Sequence, residues 1–519
     1  MSNTTLQETS RRKPRRALSV LGTVLCSLLV LAAFICFYAA VWFVTVYGQI
    51  GFDAVLFTLQ SSLSGVQSDL IGSYLEGGLK PALMMSTAVN FILFFHPKKG
   101  LSIPVGKDRV QVYPFHRVVS IVLAVVMSVC LLAKAAVKVE MDQYIQNMFN
   151  RSSLFEDQYV DPDDVQITFP EEKRNLVYIM LESMETSYLS EELGGAMEEN
   201  LIPELYQIAL ENTNFSHNDG VGGFHETNGA SWTIGSIVAQ TSGIPLKTPT
   251  GNQNDYGSAG ELFLPGVTSI TSILEDAGYY TTLMVGSDAN FGGRKPYYIQ
   301  HGADYVYDVY TARKDGIIPN DYFVWWGMED LHLFEYAKQE LTKISQQDQP
   351  FAFTMLTVDT HHIGGYQCVY CEESASGETY DQSISCSSRQ VLAFLQWLQQ
   401  QPFYENTTVV ITGDHCSMDK GYFSRNVDED YGRMVYNVII NAPVESDNTK
   451  NRDYCAIDLF PTTLAALGCQ IEGDRLGLGT NLFSATPTLA EEMGFEKFNA
   501  ELAQSSNYYS DNFYYSKQD

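Results

Sequence analysis

The stretch NLVYIMLES, residues 175–183, decides the fold class of this chain of 519 residues. It is an apolar run bounded by polar residues, which is typical of a strand buried on both faces of a parallel sheet. Similar runs recur at YYTTLMVGS (279–287), FAFTMLTVD (351–359) and TTVVITGDH (407–415), and segments with helical spacing, such as PELYQIALENT (203–213), separate them. We therefore predict an α/β domain with a mostly parallel sheet flanked by helices.

Three long apolar blocks precede this domain, at residues 17–48, 79–97 and 117–139. A membrane-spanning helix needs about 20 apolar residues, and the first block is too long for a cleaved signal peptide. The sequence therefore predicts about three transmembrane helices. The half-apolar connection between the first two blocks is expected to lie on the membrane or to re-enter it.

The distribution of basic residues predicts how the chain crosses the membrane. Residues 11–16, RRKPRR, precede the first block, and five more basic residues separate the second block from the third: Lys98, Lys99, Lys107, Arg109 and Arg117. The connection between the first two blocks carries acids and no Lys or Arg. Because basic loops stay in the cytoplasm, we predict a multi-pass plasma-membrane protein. Its N-terminus is expected in the cytoplasm, with everything after about residue 140 extracytoplasmic.

The region after the apolar blocks is strongly acidic. The whole chain has 32 Lys plus Arg against 61 Asp plus Glu, a net charge of −29, although the bases outnumber the acids in residues 1–140. Such an acidic domain is not expected to bind nucleic acid. It is compatible with solubility, with cation binding or with an uncharged acceptor.

Three of the predicted strands end in residues able to bind a metal ion. Glu182 ends the first, His361 and His362 follow the third, and Asp414 with His415 ends the fourth. In sheets of this kind, functional sites gather where the strands end. Carboxylate and imidazole ligands together suit Mn²⁺, Zn²⁺ or Mg²⁺, so Glu182, Asp414 and His415 are candidate ligands of one divalent ion.

A threonine-containing stretch, GGFHETNGASWTIGS at residues 222–236, runs into an apolar helix. Threonine is common as a helix cap, which is one reading of Thr227. The other is a nucleophile: a hydroxyl bound to a metal is acidified, and a helix N-terminus stabilises anionic oxygens. A threonine at this helix start could fill a fourth position on the ion, and Thr227 and Thr233 are the two candidates.

Three cysteines cluster in CVYCEESASGETYDQSISC, residues 368–386. An oxidising exterior would permit one disulfide, joining either Cys368 or Cys371 to Cys386. A zinc site would require a fourth ligand. Cys455 and Cys469 are a second candidate pair.

Taken in order, these segments resemble the lipoteichoic acid synthase and phosphoglycerol transferase group, a sulfatase-like branch of the alkaline phosphatase superfamily. The resemblance covers roughly residues 173–485. The segments that carry it are NLVYIMLES, ETNGASWTIGSIVAQTSGIPL, TVDTHH, VVITGDHCSM and DLFPTTLAALG. It implies Glu182, Thr227, Asp414 and His415 as metal ligands, with Thr227 also the nucleophile. His361 is implied in catalysis and substrate binding, and Arg294 in contact with the glycerol phosphate group.

The resemblance also implies a reaction. Thr227 would attack phosphatidylglycerol and release diacylglycerol, and an extracytoplasmic hydroxyl acceptor would then take the glycerol phosphate. The acceptor would be a lipoteichoic acid-type polymer, a glycolipid or a glucan. The implied cofactor is one divalent ion, Mn²⁺ in first place, with Mg²⁺ and Zn²⁺ as alternatives. The competing functions are a phosphoethanolamine transferase or another sulfatase-like phosphotransferase or hydrolase, and a catalytically inactive membrane-anchored binding protein. A true sulfatase would need a C/S-x-P-x-R stretch, which the sequence lacks.

The resulting domain prediction has four parts. Residues 1–140 form a membrane region, and residues 141–172 form a linker with helical pieces. Residues 173–490 form the sulfatase-like catalytic domain, and residues 491–519 form a polar peripheral tail.

Overall fold

A computed structural model describes residues 5–48, 51–60, 68–95, 100–106, 108–248 and 262–514. The charge argument from Lys98, Lys99 and Lys107 lies outside the described residues, as do the side chains of residues 11–16. The chain forms two compact units: residues 1–45 with 68–142, and residues 46–67 with 143–519. The predicted domain boundaries remain a prediction.

The helices are numbered along the chain. They are α1 (Thr5–Tyr47), α2 (Phe52–Gln60), α3 (Ser68–Tyr74), α4 (Lys80–Phe94), α5 (Arg117–Lys138), α6 (Met141–Phe149), α7 (Leu154–Gln158), α8 (Pro203–Glu211), α9 (Thr233–Ser242), α10 (Ile270–Asp276), α11 (Arg294–Gln300), α12 (Val309–Lys314), α13 (Asp330–Ile344), α14 (Thr379–Leu398), α15 (Lys420–Asn426), α16 (Leu459–Ala466), α17 (Leu489–Met493), α18 (Phe495–Ala503) and α19 (Asn507–Phe513).

The strands follow the same convention. They are β1 (Leu101–Val105), β2 (Asp108–Tyr113), β3 (Ile167–Thr168), β4 (Asn175–Leu181), β5 (Gly223–His225), β6 (Tyr280–Val285), β7 (Tyr305–Tyr307), β8 (Phe351–Leu356), β9 (Thr407–Gly413), β10 (Met434–Ile440), β11 (Gln470–Ile471), β12 (Arg475–Leu476) and β13 (Gly479–Thr480).

The first unit contains most of the apolar blocks. Three described segments, Val20–Tyr47, Ile71–Phe94 and Arg117–Lys138, are helical, long and apolar enough to cross a membrane. Side-chain hydrogen bonds to main-chain carbonyls join neighbouring helices. Ser120 donates to Leu93 at 2.7 Å, and Asn90 donates to Ser27 at 3.2 Å. Such polar contacts between apolar helices are typical of membrane bundles.

The second unit is built on a seven-stranded sheet in the order β5-β10-β9-β4-β8-β6-β7. Strand β4 pairs in parallel with β8 and β9, and β6 pairs in parallel with β7 and β8. Only β10 runs antiparallel to its neighbours within this sheet. The predicted fold class is therefore confirmed.

The alternation of side chains along β4 explains its uninterrupted apolar sequence. Tyr178 and Met180 pack into one core, on one face of the sheet, whereas Ile179 and Leu181 pack into a second core on the other face. Successive residues of a strand point to opposite faces, so a strand covered on both sides must be apolar throughout.

Residues 491–514, the described part of the predicted C-terminal tail, contribute side chains to the core. Four aromatic or aliphatic side chains of α18 and α19 are each about 1% exposed: Phe498, Leu502, Tyr509 and Phe513. Their spacing of four residues places each pair on one helix face. The polar composition of the segment hides this apolar stripe.

Candidate active site

Neighbouring strand ends bring three of the predicted ligands together. Glu182 follows β4, and Asp414 with His415 follows β9, whose Gly413 is in register with Leu181 of β4. The His415 Nε2 atom lies 3.7 Å from a Glu182 carboxylate oxygen and 3.4 Å from Asp414 Oδ2. One ligand atom from each of the three residues lies within 4.8 Å of the other two. All three side chains are almost completely buried.

This cluster has the composition and hydrogen bonding expected of a cation site. Asp414 Oδ1 accepts hydrogen bonds from the backbone N–H groups of Ser183 and His415, whereas Oδ2 is buried without a hydrogen bond among the described residues. The His415 Nδ1 atom lies 2.8 Å from the carbonyl oxygen of Cys416, to which it donates in the neutral tautomer. That tautomer leaves Nε2 as a ligand facing the carboxylates.

The pKa values of Glu182 and His415 also indicate a cation site. Burial, followed by the charge of Asp414, raises the pKa of Glu182 to about 8. Burial lowers the pKa of His415, but the carboxylates of Asp414 and Glu182 outweigh it and raise that pKa to about 9. Two buried carboxylates close together are costly unless a cation neutralises them. The residues present therefore fit one divalent metal ion.

The N-terminus of α9 lies over this cluster. The Ser236 hydroxyl donates a hydrogen bond to the carbonyl of Asp414, and the Gln240 amide donates to that of Gly413 at 3.1 Å. These bonds fix the first turns of α9 against the end of β9. Thr233, the first residue of α9, lines the same pocket as Glu182 and His415. The free N–H groups of a helix start favour an anionic group in such a pocket.

Thr227 takes a different position. Its hydroxyl is buried without a hydrogen bond among the described residues, and Thr227 is absent from the described residues lining the pocket. Its carbonyl accepts from Ala230, and the next residue, Asn228, bonds Asn499. Of the two threonines, Thr233 at the helix start lines the pocket. The assignment of Thr227 as the nucleophile stays a prediction.

Arg294 and His361 line the pocket beside the cluster. Arg294 is buried at the start of α11, where its guanidinium donates to the carbonyls of Phe291 and Asp288 and to the Ser287 hydroxyl. Burial lowers its pKa to about 10, opposed by the charges of Glu182 and Asp288, so it stays cationic near neutral pH.

His361 is held as a neutral imidazole. Its Nδ1 atom lies 2.6 Å from the His362 carbonyl oxygen, and its ring packs 4.7 Å from that of Trp326. Burial lowers its pKa to about 4. His362 also lines the pocket.

Sequence reasoning missed several residues of this site. Glu226 accepts a hydrogen bond from the Cys416 N–H at 2.9 Å and so fixes the segment after His415. Tyr47, Ala54 and Phe57, from the end of α1 and from α2, form an apolar wall of the pocket. The Phe57 ring lies 6.3 Å from that of Trp232. The apolar character of residues 52–57 is the available signal, but composition alone favours a membrane location for them.

This domain is similar in sequence to known proteins. The sequence model of the Sulfatase family matches residues 174–469, and the chain belongs to that family. Phosphoglycerol transferase I of Xanthomonas campestris pv. campestris (strain ATCC 33913) is 34% identical over 253 residues, 48% of this chain and 34% of that protein. Phosphoglycerol transferase I of Salmonella paratyphi B is 26% identical over 446 residues, 83% of this chain and 53% of that protein. The resemblance stated from the sequence is thereby confirmed.

The chain thus spans between a third and about half of the length of these relatives. Among solved structures, the lipoteichoic acid synthase LtaP of Listeria monocytogenes is 19% identical, with a TM-score of 0.47 over 62% of this chain and 79% of that one. The phosphoethanolamine transferase EptA of Neisseria meningitidis is 14% identical, with a TM-score of 0.47 over 86% of this chain and 84% of that one.

Proposed function

We propose that this protein is a membrane-anchored phosphoglycerol transferase that moves glycerol phosphate from phosphatidylglycerol to an acceptor hydroxyl, with Thr233 as the nucleophile. The observation that carries the proposal is that Thr233, Glu182 and His415 line one pocket. The relatives named phosphoglycerol transferase I support the choice of donor. The helices long enough to cross a membrane support a lipid substrate.

Glu182, Asp414 and His415 would hold one divalent cation, for which we propose Mn²⁺ ahead of Mg²⁺ and Zn²⁺. Such an ion, when bound, supplies Lewis-acid stabilisation of phosphoryl oxygens and lowers the pKa of a hydroxyl in its coordination shell.

The first half of the reaction forms a covalent bond to Thr233. Its Oγ attacks the phosphorus of phosphatidylglycerol, and the bond from phosphorus to the diacylglycerol oxygen breaks. The hydroxyl proton passes to the neutral His361 Nε2 and from there to the departing oxygen. Diacylglycerol leaves, and glycerophospho-threonine remains.

The second half reverses the roles. The acceptor hydroxyl gives its proton to His361 and attacks the same phosphorus. The bond to Thr233 breaks, and the proton returns to Thr233 Oγ. The hydrogen bonds of Arg294 to the described residues use Nε and Nη2. Its Nη1 atom would pair with the phosphoryl oxygens in both halves of the reaction.

The apolar wall fits the remainder of the donor. Tyr47, Ala54 and Phe57 line the same pocket as Glu182 and Arg294. This arrangement would place the diacylglycerol part of the lipid on the apolar side and its phosphate over Thr233. We propose an extracytoplasmic catalytic domain acting at the membrane surface, with a glucan, glycolipid or polyglycerol phosphate hydroxyl as acceptor.

The test uses the full chain in detergent with fluorescent phosphatidylglycerol, and it measures diacylglycerol release. We expect release by the wild type and by Thr227→Ala, and none by Thr233→Ala. Mass spectrometry of the trapped protein should find a glycerophosphoryl group on the peptide containing Thr233. A phosphoethanolamine adduct, or full release by Thr233→Ala, would refute the proposal.

A further inference from the structure

A second candidate metal centre lies outside the pocket, at the three cysteines of the loop after β8 and of α14. The expected disulfide is not formed, since the described Cys368, Cys371 and Cys386 are all free thiols. The Sγ atoms of Cys368 and Cys386 lie 3.6 Å apart, and those of Cys371 and Cys368 lie 3.8 Å apart. All three sulfur atoms lie within 4.8 Å of one another.

We propose that Cys368, Cys371 and Cys386 bind a thiophilic cation of the Zn²⁺ class. A zinc–sulfur bond of about 2.3 Å in tetrahedral geometry places two thiolates about 3.8 Å apart, which matches the observed separations. A disulfide would join two of the sulfurs at about 2.0 Å and leave the third without a role. Soft thiolates select such an ion over the harder cations suited to the carboxylates of the pocket.

The surroundings of the cluster support this assignment. The Gln390 side chain, one turn after Cys386 on α14, places its Nε2 atom 3.5 Å from the Cys386 sulfur, and its Oε1 atom is buried without a hydrogen bond among the described residues. The two ends of an amide are assigned from their hydrogen bonds, so a rotated Gln390 would offer Oε1 as a fourth ligand. A water molecule would serve the same purpose.

Charge balance adds a further argument. Three thiolates around a divalent cation carry a net charge of −1, and Arg389 precedes Gln390 on α14. Its Nη2 atom is buried without a hydrogen bond among the described residues, while Nη1 is 3.9 Å from Glu372. A cationic guanidinium beside the cluster would offset the negative charge of the loaded site.

The consequence would be a metal clip on the loop that carries His361. Cys368 and Cys371 belong to the loop after β8, and Cys386 belongs to α14, so one ion would fasten the loop to the helix. The Gln367 side chain already bonds Ser383 of α14 at 2.8 Å. Cys368 and Cys386 are 18 residues apart along the chain. An ion that binds only the folded arrangement of these thiols would stabilise the folded state.

The experiment titrates the reduced full chain in detergent with Cd²⁺ and follows the ultraviolet charge-transfer absorption of cadmium–sulfur bonds. Glu182, Asp414 and His415 offer no sulfur, so the pocket ligands cannot produce this band. We expect one equivalent of Cd²⁺ to give the band in the wild type and in Asp414→Asn. Cys386→Ser should lose it, and Gln390→Ala should weaken binding about tenfold.

Cys416→Ala is the matched control, because Cys416 is a buried thiol next to His415. It should keep the band. A band that survives Cys386→Ser but disappears in Cys416→Ala would overturn the proposal. So would a Cys368–Cys386 disulfide found by mass spectrometry after the thiols are alkylated in intact cells. Circular dichroism of each variant separates loss of the site from loss of the fold.

Discussion

The Ser236 hydroxyl, one turn into α9, donates a hydrogen bond to the main-chain carbonyl of Asp414. This bond joins the helix that carries the proposed nucleophile to the strand end that carries two proposed metal ligands. Ser236 also accepts a hydrogen bond from the Gln240 amide at 2.9 Å. Together with the bond from Gln240 to the Gly413 carbonyl, this buried hydroxyl therefore sets the placement of Thr233 relative to the Glu182–Asp414–His415 cluster.

We predict that Ser236→Ala weakens divalent-cation binding about 10- to 100-fold, because residues that support metal ligands have effects of that size. It should also destabilise the fold by about 1–3 kcal/mol, since the Asp414 carbonyl loses a buried partner. Isothermal titration with Mn²⁺ and thermal unfolding measure the two effects. Ser242→Ala, equally buried at the other end of α9 and bonded to Tyr297, should lower stability and leave cation affinity unchanged.

The choice between two threonines gives the second prediction. Thr233→Ala should reduce diacylglycerol release by at least about 10³-fold, as expected when the attacking group is removed. Thr233→Ser keeps a hydroxyl and should retain a measurable part of the rate. Thr227→Ala leaves the pocket lining intact and should cost less than tenfold. Equal losses in the Thr227 and Thr233 variants would argue against the assignment.

These threonines also show where sequence reasoning reaches its limit. The strands are readable because burial on both faces forces an apolar run. The sequence therefore identifies Glu182, Asp414 and His415 as candidate ligands at strand ends, and the strand order of the folded sheet, with β4 beside β9, brings them together. The choice between Thr227 and Thr233 depends on the residue at which α9 begins, and the ends of helices are the hardest feature to predict from a sequence.

Long-range packing is equally hidden in the sequence. Phe57 lies far along the chain from Trp232, and only the folded structure places the two rings 6.3 Å apart. The segment around Ala54 and Phe57 resembles a membrane-associated one, because apolar composition does not distinguish burial against protein from burial in lipid. The buried stripe of α18 and α19 is likewise masked by the polar residues around it.

The apolar wall leads to the third prediction. Phe57→Ala should raise the KM for long-chain phosphatidylglycerol several-fold, while the rate with water-soluble glycerophosphoglycerol stays the same, because only the lipid uses this wall. Removing the buried Phe57 ring also lowers the free energy of unfolding by about 3–5 kcal/mol, because it leaves a cavity. Phe155→Ala, in the same core and packed on Tyr509, is the control for that cost. Equal changes in KM for both substrates would show that Phe57 does not contact the lipid.

Metal removal gives the fourth prediction. Chelation should stop diacylglycerol release, and added Mn²⁺ should restore it in the wild type. Asp414→Asn should bind Mn²⁺ at least tenfold more weakly, because a carboxylate ligand is replaced by a neutral amide. The Cys386→Ser variant should keep Mn²⁺ affinity, since its thiol belongs to the separate cysteine cluster. Full activity after exhaustive chelation would exclude a metal-dependent transferase.

The fifth prediction concerns Lys247, which anchors the C-terminal helices. Its ammonium donates to the carbonyl of Gln504 and lies 5.6 Å from the ring centres of Phe155 and Tyr509. Burial lowers its pKa from 10.5 to about 8. Between these two values the unfolded chain keeps a proton that the folded chain has lost, so the contribution of Lys247 to stability rises with pH.

Below pH 8 both states are protonated, and this contribution no longer depends on pH. Relative to Lys247→Met, the wild type should therefore gain stability from about pH 8 to pH 10.5, at roughly 1.4 kcal/mol per pH unit at most. Thermal midpoints of both proteins in detergent at pH 7.5, 9 and 10 measure this gain. Lys497→Met is the control, because Lys497 is exposed on α18. Its thermal midpoint should change with pH in the same way as that of the wild type. A constant difference between wild type and Lys247→Met across this range would show that Lys247 titrates as it does in the unfolded chain.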